Sequence, residues 1–148
     1  LWIENAYNDL IKVIKKVDIL FINDQEIQQL HNLGNIEKAV EQTFLLGPSY
    51  IIVKLGSEGS ILFSKKEKFL CKAVSINKVV DPTGAGDSFA GGFMGYLCST
   101  QENSFENMKK AIQWGTVMAS FCVQGFGTET IVNLKKEDYL SRFKANFS

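Results

Sequence analysis

The sequence predicts an α/β fold with parallel central strands and an antiparallel hairpin at one edge of the sheet. Segments with helical periodicity separate the first buried strands, which is the pattern of a parallel sheet. Two further strands follow each other across a short turn, as in a hairpin. The composition predicts a folded core, since 45% of the 148 residues are hydrophobic and 22% are charged. With no linker, composition break or internal repeat, the chain is expected to form one domain.

The predicted elements alternate between helix and strand at first and end in three helices. In chain order, they are a helix at 3–16, a strand at 17–22, a helix from 23, a helix at 35–46, strands at 50–55, 60–64 and 69–74, and helices at 87–98, 105–123 and 136–147. The strand at 50–55 is the clearest, because it is apolar and rich in β-branched residues. Small residues alternate with Phe89 and Phe93 in the helix at 87–98, which predicts a tightly packed helix.

Basic and acidic residues balance at 16 each, so the formal net charge is zero. No excess of charge favours nucleic acid or an anionic membrane surface, and neither partner is expected. Arg142 is the only arginine, which excludes arginine clusters that clamp phosphate in a bidentate manner. No apolar run is long enough to cross a bilayer, and the first residues lack the pattern of a signal peptide.

The few cysteine and histidine residues exclude several kinds of site. Cys71, Cys98 and Cys122 are scattered and odd in number, which argues against a disulfide framework or a zinc site and predicts a reducing cytoplasm. His31 is the only histidine, so a His-rich metal site is excluded and a Ser-His-Asp triad is disfavoured. It lies in a polar stretch and is expected at the surface.

The glycine loop, residues 81–86, is the most informative segment. Gly84 and Gly86 allow a sharp turn and a close approach of the backbone to a ligand. A helix follows directly, and its first amides have no partner within the helix, so they could bind an anion such as phosphate. The loop is neither a Walker A loop, which needs a Gly-Lys pair, nor a dinucleotide fingerprint, because Phe89 stands where the third glycine is required.

Asp87 follows the glycine loop at the start of this helix. A carboxylate there would repel phosphate unless the chemistry needs both groups. Phosphoryl transfer to a hydroxyl is such a chemistry, since the carboxylate accepts the proton while the amides stabilise the transferring group. The alternative is a helix cap, for which Asp is a favoured residue.

Residues 81–93 read DPTGAGDSFAGGF. This string resembles the second signature of the PfkB/ribokinase family of carbohydrate kinases, which reads D-T-x-G-A-G-D-x-F. Pro82 departs from the second position, whereas the glycines and both aspartates keep their places. The resemblance implies a ribokinase-like three-layer αβα core with a mostly parallel sheet.

The resemblance also implies roles for the residues of this signature. Asp87 would be the catalytic base that takes the proton of the acceptor hydroxyl. The Gly84-Ala85-Gly86 amides would form the anion hole for the γ-phosphate of ATP. Asp81 and Thr83 match positions that help to bind a monovalent cation, such as K⁺, which would act by ordering the glycine loop.

Asn23 and Glu26 match the family's N-x-x-E motif after a buried strand. The resemblance implies that Asn23 lies at the ATP phosphates and that Glu26 holds Mg²⁺ through water, which suits the preference of Mg²⁺ for oxygen ligands. The alternative is a capping box, in which Asn is the N-cap and Glu the third helical residue. A helix N-terminus that points at phosphate is compatible with both.

Other segments resemble the parts of these kinases that line the nucleotide. The candidates are Lys54, Gly56, Gly59, Thr116 and Gly127. Lys54 could place a positive charge near the phosphates, although its segment also fits a plain hairpin. Thr116 is the candidate neighbour of the adenine edge, whereas Trp114 and Phe121 are expected in the core.

The family's first signature, its acceptor-binding residues and its β-sheet lid have no counterpart here. The chain is therefore expected to be the C-terminal half of a PfkB-type kinase, with ATP and a sugar as substrates of the whole protein and a homodimer as a further expectation. Three alternatives stay open: an adenosine-type nucleoside kinase, a module that binds nucleotide without turnover, and a folding unit that associates through an exposed sheet edge.

Overall fold

The computed structural model describes residues 2–147. Its elements are α1 (Trp2–Asn5), α2 (Tyr7–Ile14), β1 (Ile19–Asn23), α3 (Asp24–His31), α4 (Ile36–Phe44), β2 (Tyr50–Lys54), β3 (Ser60–Phe63), β4 (Lys68–Cys71), α5 (Ala85–Thr100), α6 (Phe105–Cys122), α7 (Glu129–Val132) and α8 (Lys136–Phe147). The chain divides into two compact units, Leu1–Leu70 and Cys71–Ser148. Within residues 2–147, no helix has the length and apolar character that spanning a membrane requires.

The four strands form one mixed sheet in the order β1-β2-β3-β4. β1 pairs with β2 in parallel, and β2 pairs with β3 in the antiparallel direction. The parallel pair fits its sequence, because two helices lie between β1 and β2 and provide the crossover. The predicted α/β class and the antiparallel hairpin are confirmed. The antiparallel β2–β3 pair has four register pairs, nearly as many as the five of the parallel β1–β2 pair.

The core of the first unit lies between the sheet and its helices. Ile51, Ile52 and Val53 in the middle of β2 are all fully buried, which explains why this strand is apolar without alternation. Ile51 and Val53 share one cluster with Ile27 of α3 and Ala39 of α4. The two helices therefore cover the face of the sheet to which Ile51 and Val53 point.

Two glycines bring α5 and α6 into close contact in the second unit. A Cβ atom on Gly92 would lie 2.9 Å from the Cβ of Met118, and one on Gly115 would lie 2.6 Å from the carbonyl oxygen of Phe89. Neither position has room for a side chain, so the helix backbones approach closely. The tight packing predicted for the helix at 87–98 is confirmed.

The last helix, α8, lies along α6 through aromatic contacts. The rings of Trp114 and Phe143 stack with their centroids 3.8 Å apart. The hydroxyl of Tyr139 donates to the carbonyl oxygen of Trp114 at 2.9 Å. Trp114 and Phe121, expected in the core, are half-buried.

Three local features differ from the sequence-based expectations. The helix predicted at 3–16 is broken at Ala6, whose φ of −139° and ψ of 36° are not helical. The short helix α7 was not predicted. His31 is only partly exposed, because its Nε2 lies 2.8 Å from the buried hydroxyl of Thr43 on α4. It is expected at the surface, and the ring is in fact partly covered because α3 packs against α4.

Candidate functional site

The carboxyl ends of β1 and β2 bring two predicted site residues together. Asn23 and Lys54 are register partners in the last pair of this parallel ladder. In α/β proteins, ligands bind beyond the carboxyl ends of parallel strands. The two residues therefore lie at the edge of the sheet where a ligand is expected.

Asn23 and Glu26 form a reciprocal capping box at the start of α3. The Asn23 Oδ1 accepts the N–H of Glu26 at 2.7 Å, and the Glu26 Oε2 accepts the N–H of Asn23 at 2.9 Å. The alternative that sequence reasoning left open is thus present in the structure. The capping box is compatible with the predicted role of Glu26 toward Mg²⁺, because Glu26 is exposed and the cap uses only one of its carboxylate oxygens.

Lys54 begins a tight connection to β3 through a single 3₁₀ turn, Gly56–Glu58. Gly56 has a φ of +60° and Gly59 a φ of +109°, and the latter conformation is open essentially only to glycine. The N–H of Leu55 donates to the carbonyl oxygen of Gly59 at 2.8 Å and closes the turn. Gly56 and Gly59 thus shape a hairpin turn directly after Lys54.

Ser60 is a neighbour of this turn that sequence reasoning did not single out. It pairs with Lys54 across the β2–β3 ladder, and its side chain is buried. Within residues 2–147, its hydroxyl has no hydrogen-bond partner. No local sequence pattern marks an unpaired hydroxyl, because pairing depends on residues that are distant along the chain.

The glycine loop contains a type II turn. The N–H of Ala85 donates to the carbonyl oxygen of Pro82 at 3.1 Å, and Gly84 has a φ of 79° and a ψ of −1°. The positive φ at the third position strongly favours glycine. Of the three amides predicted for the anion hole, that of Ala85 is therefore already engaged in the turn.

Asp81 closes the loop through its side chain. Its Oδ1 accepts the N–H of Thr83 at 2.9 Å. This backbone bond, followed by the Thr83 side chain, holds the pKa of the Asp81 carboxyl below its usual value against the opposing effect of burial. The carboxylate thus closes the start of the glycine loop on itself. Gly127, farther along the chain, has a φ of +56°.

Asp87 is the third residue of α5 and is exposed. The first hydrogen bond of the helix runs from the N–H of Ser88 to the carbonyl oxygen of Gly84 at 2.9 Å. The amides of Gly86 and Asp87 precede it, and the geometry of an α-helix gives such amides no partner within the helix. An exposed carboxylate and the amide end of a sixteen-residue helix therefore occupy the same turn.

Thr116 lies inside the second unit. Its side chain is 6% exposed, and its hydroxyl donates to the carbonyl oxygen of Ile112 at 2.8 Å. The Sγ of Cys71 lies 3.5 Å from the same hydroxyl. The assignment of Thr116 to the adenine edge stays a prediction.

The predicted site residues thus form two groups. Asn23, Glu26, Lys54, Gly56 and Gly59 belong to the first unit, and Asp81, Thr83, Gly84, Ala85, Gly86, Asp87, Thr116 and Gly127 belong to the second. No group of three or more His, Cys, Asp or Glu side chains gathers within residues 2–147. The assignment of Glu26 to Mg²⁺ stays a prediction.

The chain belongs to the pfkB family of carbohydrate kinases. The family's profile, described as "pfkB family carbohydrate kinase", matches residues 1–135. The chain is 33% identical over 121 residues to a nucleoside kinase of Methanocaldococcus jannaschii, a match that covers 82% of this chain and 37% of the relative. This confirms the family that residues 81–93 indicated.

Solved structures confirm the ribokinase-like fold. A ribokinase of Thermotoga maritima has a TM-score of 0.77 at 29% identity, covering 90% of this chain and 44% of that one. An aminoimidazole riboside kinase of Salmonella enterica, complexed with aminoimidazole riboside and an ATP analog, has a TM-score of 0.84 at 22% identity, covering 95% of this chain and 46% of that one. The chain spans less than half the length of these three relatives.

Proposed function

We propose that the full-length protein containing this chain transfers the γ-phosphoryl group of ATP to a hydroxyl group of a sugar or a nucleoside. The observation that carries this proposal is the exposed Asp87 carboxylate in the first turn of α5, directly after the type II turn of the glycine loop. Membership of a family of carbohydrate kinases supports it. Its relatives include a nucleoside kinase and a ribokinase, so both acceptor classes belong in the proposal.

Asp87 acts as the base in this proposal. The acceptor oxygen attacks the γ-phosphorus, the bond to the β–γ bridging oxygen breaks, ADP leaves, and the hydroxyl proton passes to the Asp87 carboxylate. The amides at the start of α5 stabilise the charge on the transferring group. Because the Ala85 N–H donates to Pro82, we assign most of this stabilisation to the amides of Gly86 and Asp87, with Gly84 allowing the close approach.

The carboxyl edge of the first unit binds the phosphates of ATP in this proposal. Lys54 supplies a positive charge, and Asn23 sets the N-terminus of α3, whose dipole favours an anion. Glu26 fits Mg²⁺, since its exposed carboxylate keeps an oxygen beyond the one used in the capping box. When bound, Mg²⁺ would neutralise charge on the phosphates. The resemblance also assigns Gly56 and Gly59 of the first unit, and Thr116 and Gly127 of the second, to nucleotide binding.

A monovalent cation such as K⁺ would bind at Asp81 and the Thr83 carbonyl. The Asp81 carboxylate already accepts the N–H of Thr83 through Oδ1, and a carboxylate and a backbone carbonyl are oxygen donors of the kind that a cation binds. A cation there would order the glycine loop. Replacing K⁺ by tetramethylammonium should lower turnover of the wild-type protein, whereas equal turnover in both salts would remove this part of the proposal.

The test uses Asp87→Asn in the full-length protein, assayed for ATP consumption with a panel of sugars and nucleosides. Removing the base should lower kcat by about 10²–10⁴-fold with little change in the KM for ATP. Glu137→Gln is the matched control, because it also removes an exposed carboxylate from the first turn of a helix, α8. Turnover of Asp87→Asn within a few-fold of the wild type would contradict the role of the base.

Calorimetry beside the same acceptor panel tests the alternative of a module that binds nucleotide without turnover. If calorimetry shows that the wild-type protein binds ATP but no acceptor produces turnover, the protein is a nucleotide-binding module rather than a kinase. The acceptor with the highest kcat/KM then decides between sugar and nucleoside specificity.

A further inference from the structure

The last turn of α6 holds the backbone that leads into the glycine loop. The Sγ of Cys122 donates to the carbonyl oxygen of Thr83 at 3.6 Å. The carbonyl oxygen of Val123, the C-cap, accepts the N–H of Val80 at 2.7 Å and the N–H of Asp81 at 3.3 Å. The position of the glycine loop in the second unit therefore depends on the end of α6.

Arg142 of α8 contacts the same end of α6. Its Nη1 donates to the Oγ of Ser120 at 3.0 Å and to the Oε1 of Gln124 at 2.7 Å. Its guanidinium group lies 3.4 Å from the centroid of the Phe121 ring. In sequence, the two acceptors flank Cys122 and Val123, so one side chain holds both ends of the segment that contacts the loop.

An arginine suits this position better than a lysine. The planar guanidinium stacks on an aromatic ring and donates several bonds in a fixed geometry, whereas an ammonium group is a flexible point charge. A cation near the C-terminus of a helix also interacts favourably with the helix dipole. The only arginine in a chain rich in lysine thus lies where its planar group stacks on Phe121 while Nη1 donates two hydrogen bonds.

The rest of α8 fixes where this side chain can reach. The stacking of Phe143 on Trp114 and the hydrogen bond from Tyr139 to the Trp114 carbonyl lie on either side of Arg142 in sequence. They leave α8 little freedom to shift along α6. The contacts of Arg142 are therefore set by the packing of two helices.

We propose that Arg142 is a positioning residue for the glycine loop and acts through the last turn of α6. This assignment rests on the proposed function in one respect, since the glycine loop is the anion hole only if the protein is a kinase. Arg142 touches neither substrate in this proposal. It keeps Cys122 and Val123 where they hold residues 80–83, and thereby keeps the amides of Gly86 and Asp87 aligned for the transferring group.

The first readout is hydrogen–deuterium exchange in the full-length protein, which needs no catalytic activity. The amides of Val80, Asp81, Thr83 and Ala85 are all hydrogen-bonded. In Arg142→Met, peptides that cover residues 79–86 should exchange about tenfold faster, because local opening requires fewer contacts to break. Lys144→Ala, an exposed cation on the same helix, should leave their exchange unchanged.

The second readout is the split between kcat and KM. Misaligned amides should lower kcat by about tenfold or more while the KM for the acceptor stays unchanged, since small misplacements at a reacting centre are costly. Arg142→Lys should lose turnover in the same direction, because it keeps the charge but not the planar group that stacks on Phe121. A merely structural role would lower the thermal stability without this split.

Wild-type exchange at residues 79–86 in a folded Arg142→Met protein would overturn the proposal. If that variant does not fold, Gln124→Ala takes its place, because it removes one acceptor of Arg142 and leaves the stacking on Phe121. Faster exchange of the same peptides in Gln124→Ala would support the proposal, and wild-type exchange would overturn it. If the wild-type protein turns over no ATP, the proposed function fails, while the exchange result still decides whether Arg142 positions the loop.

Discussion

Asn23 and Lys54 lie side by side in the last register pair of the parallel β1–β2 ladder. Asn23 also caps α3, so one residue joins the end of the strand to the N-terminus of the helix. A lysine charge and the positive end of a helix dipole both favour an anion. The edge of the first unit thus has two features that attract phosphate, although each also has a structural role.

Substitutions at Asn23 separate the cap from ligand binding. Asn23→Ala should cost about 1 kcal/mol of unfolding free energy, because it removes the N-cap acceptor. Asn23→Asp keeps that acceptor and should stay within about 0.5 kcal/mol of the wild type. It adds a negative charge beside Lys54, so the KM for ATP should rise. Denaturant unfolding and ATP kinetics measure the two effects, and an unchanged KM in Asn23→Asp would argue for a purely structural Asn23.

Glu26→Gln tests the predicted magnesium ligand. A glutamine can still accept the N–H of Asn23, so the capping box and the stability should be preserved. The Mg²⁺ concentration for half-maximal activity should rise by roughly tenfold, as expected when a group that orders a bound metal is lost. Glu41→Gln, an exposed carboxylate on α4, is the control. An equal Mg²⁺ requirement in all three proteins would remove Glu26 from the site.

Gly115→Ala should destabilise the packing of α5 on α6. The new Cβ would lie 2.6 Å from the Phe89 carbonyl oxygen, and overpacking of this kind costs about 1–3 kcal/mol. Gly91→Ala is the matched control, because a Cβ on this exposed glycine of α5 would point into open space. Because alanine has a greater helix propensity than glycine, Gly91→Ala should instead raise the free energy of unfolding by about 0.5–1 kcal/mol. Thermal unfolding of both variants measures the difference, and equal shifts would contradict the close approach.

His31 should make the stability of the protein depend on pH. The Thr43 hydroxyl donates to the Ala39 carbonyl oxygen at 2.8 Å, so its oxygen accepts a hydrogen bond from the His31 Nε2–H. Burial lowers the pKa of the His31 ring below its usual 6.5. The unfolded chain therefore binds the proton more readily than the folded protein does.

Stability from this residue is complete above pH 6.5 and is lost as the pH falls from there through the lowered folded pKa. The unfolding free energy of the wild-type protein, measured between neutral and mildly acidic pH, should fall accordingly. His31→Gln removes the titrating ring and should flatten the profile in this range. An identical slope in the two proteins would assign the pH dependence to other groups.

Features that depend on near neighbours could be predicted from the sequence. The strand at 50–54, the capping box of Asn23 and Glu26, and the turn at Gly84 each follow from residues within a few positions of one another. The break at Ala6 could not be predicted, because alanine favours helix and no Gly or Pro marks the position. The short helix α7 lacks the length that reveals periodicity.

Contacts between distant residues set the rest of the site and leave no local pattern. Cys122 and Thr83 are 39 positions apart, and Arg142 and Gln124 are 18 apart. Sequence reasoning used Arg142 only to exclude arginine clusters, and read Cys122 only as one of three scattered cysteines. Their contacts depend on how α6 and α8 pack, which the pattern of each helix alone does not determine.

The bond between Cys122 and Thr83 has a consequence for the order of events during synthesis. Ribosomes deliver the glycine loop well before the end of α6, at roughly 5–20 residues per second. Until those later 39 positions have emerged, the loop has neither its thiol donor nor the Val123 carbonyl to hold it. The backbone that is proposed to handle phosphate thus matures late, through a long-range contact within the second unit.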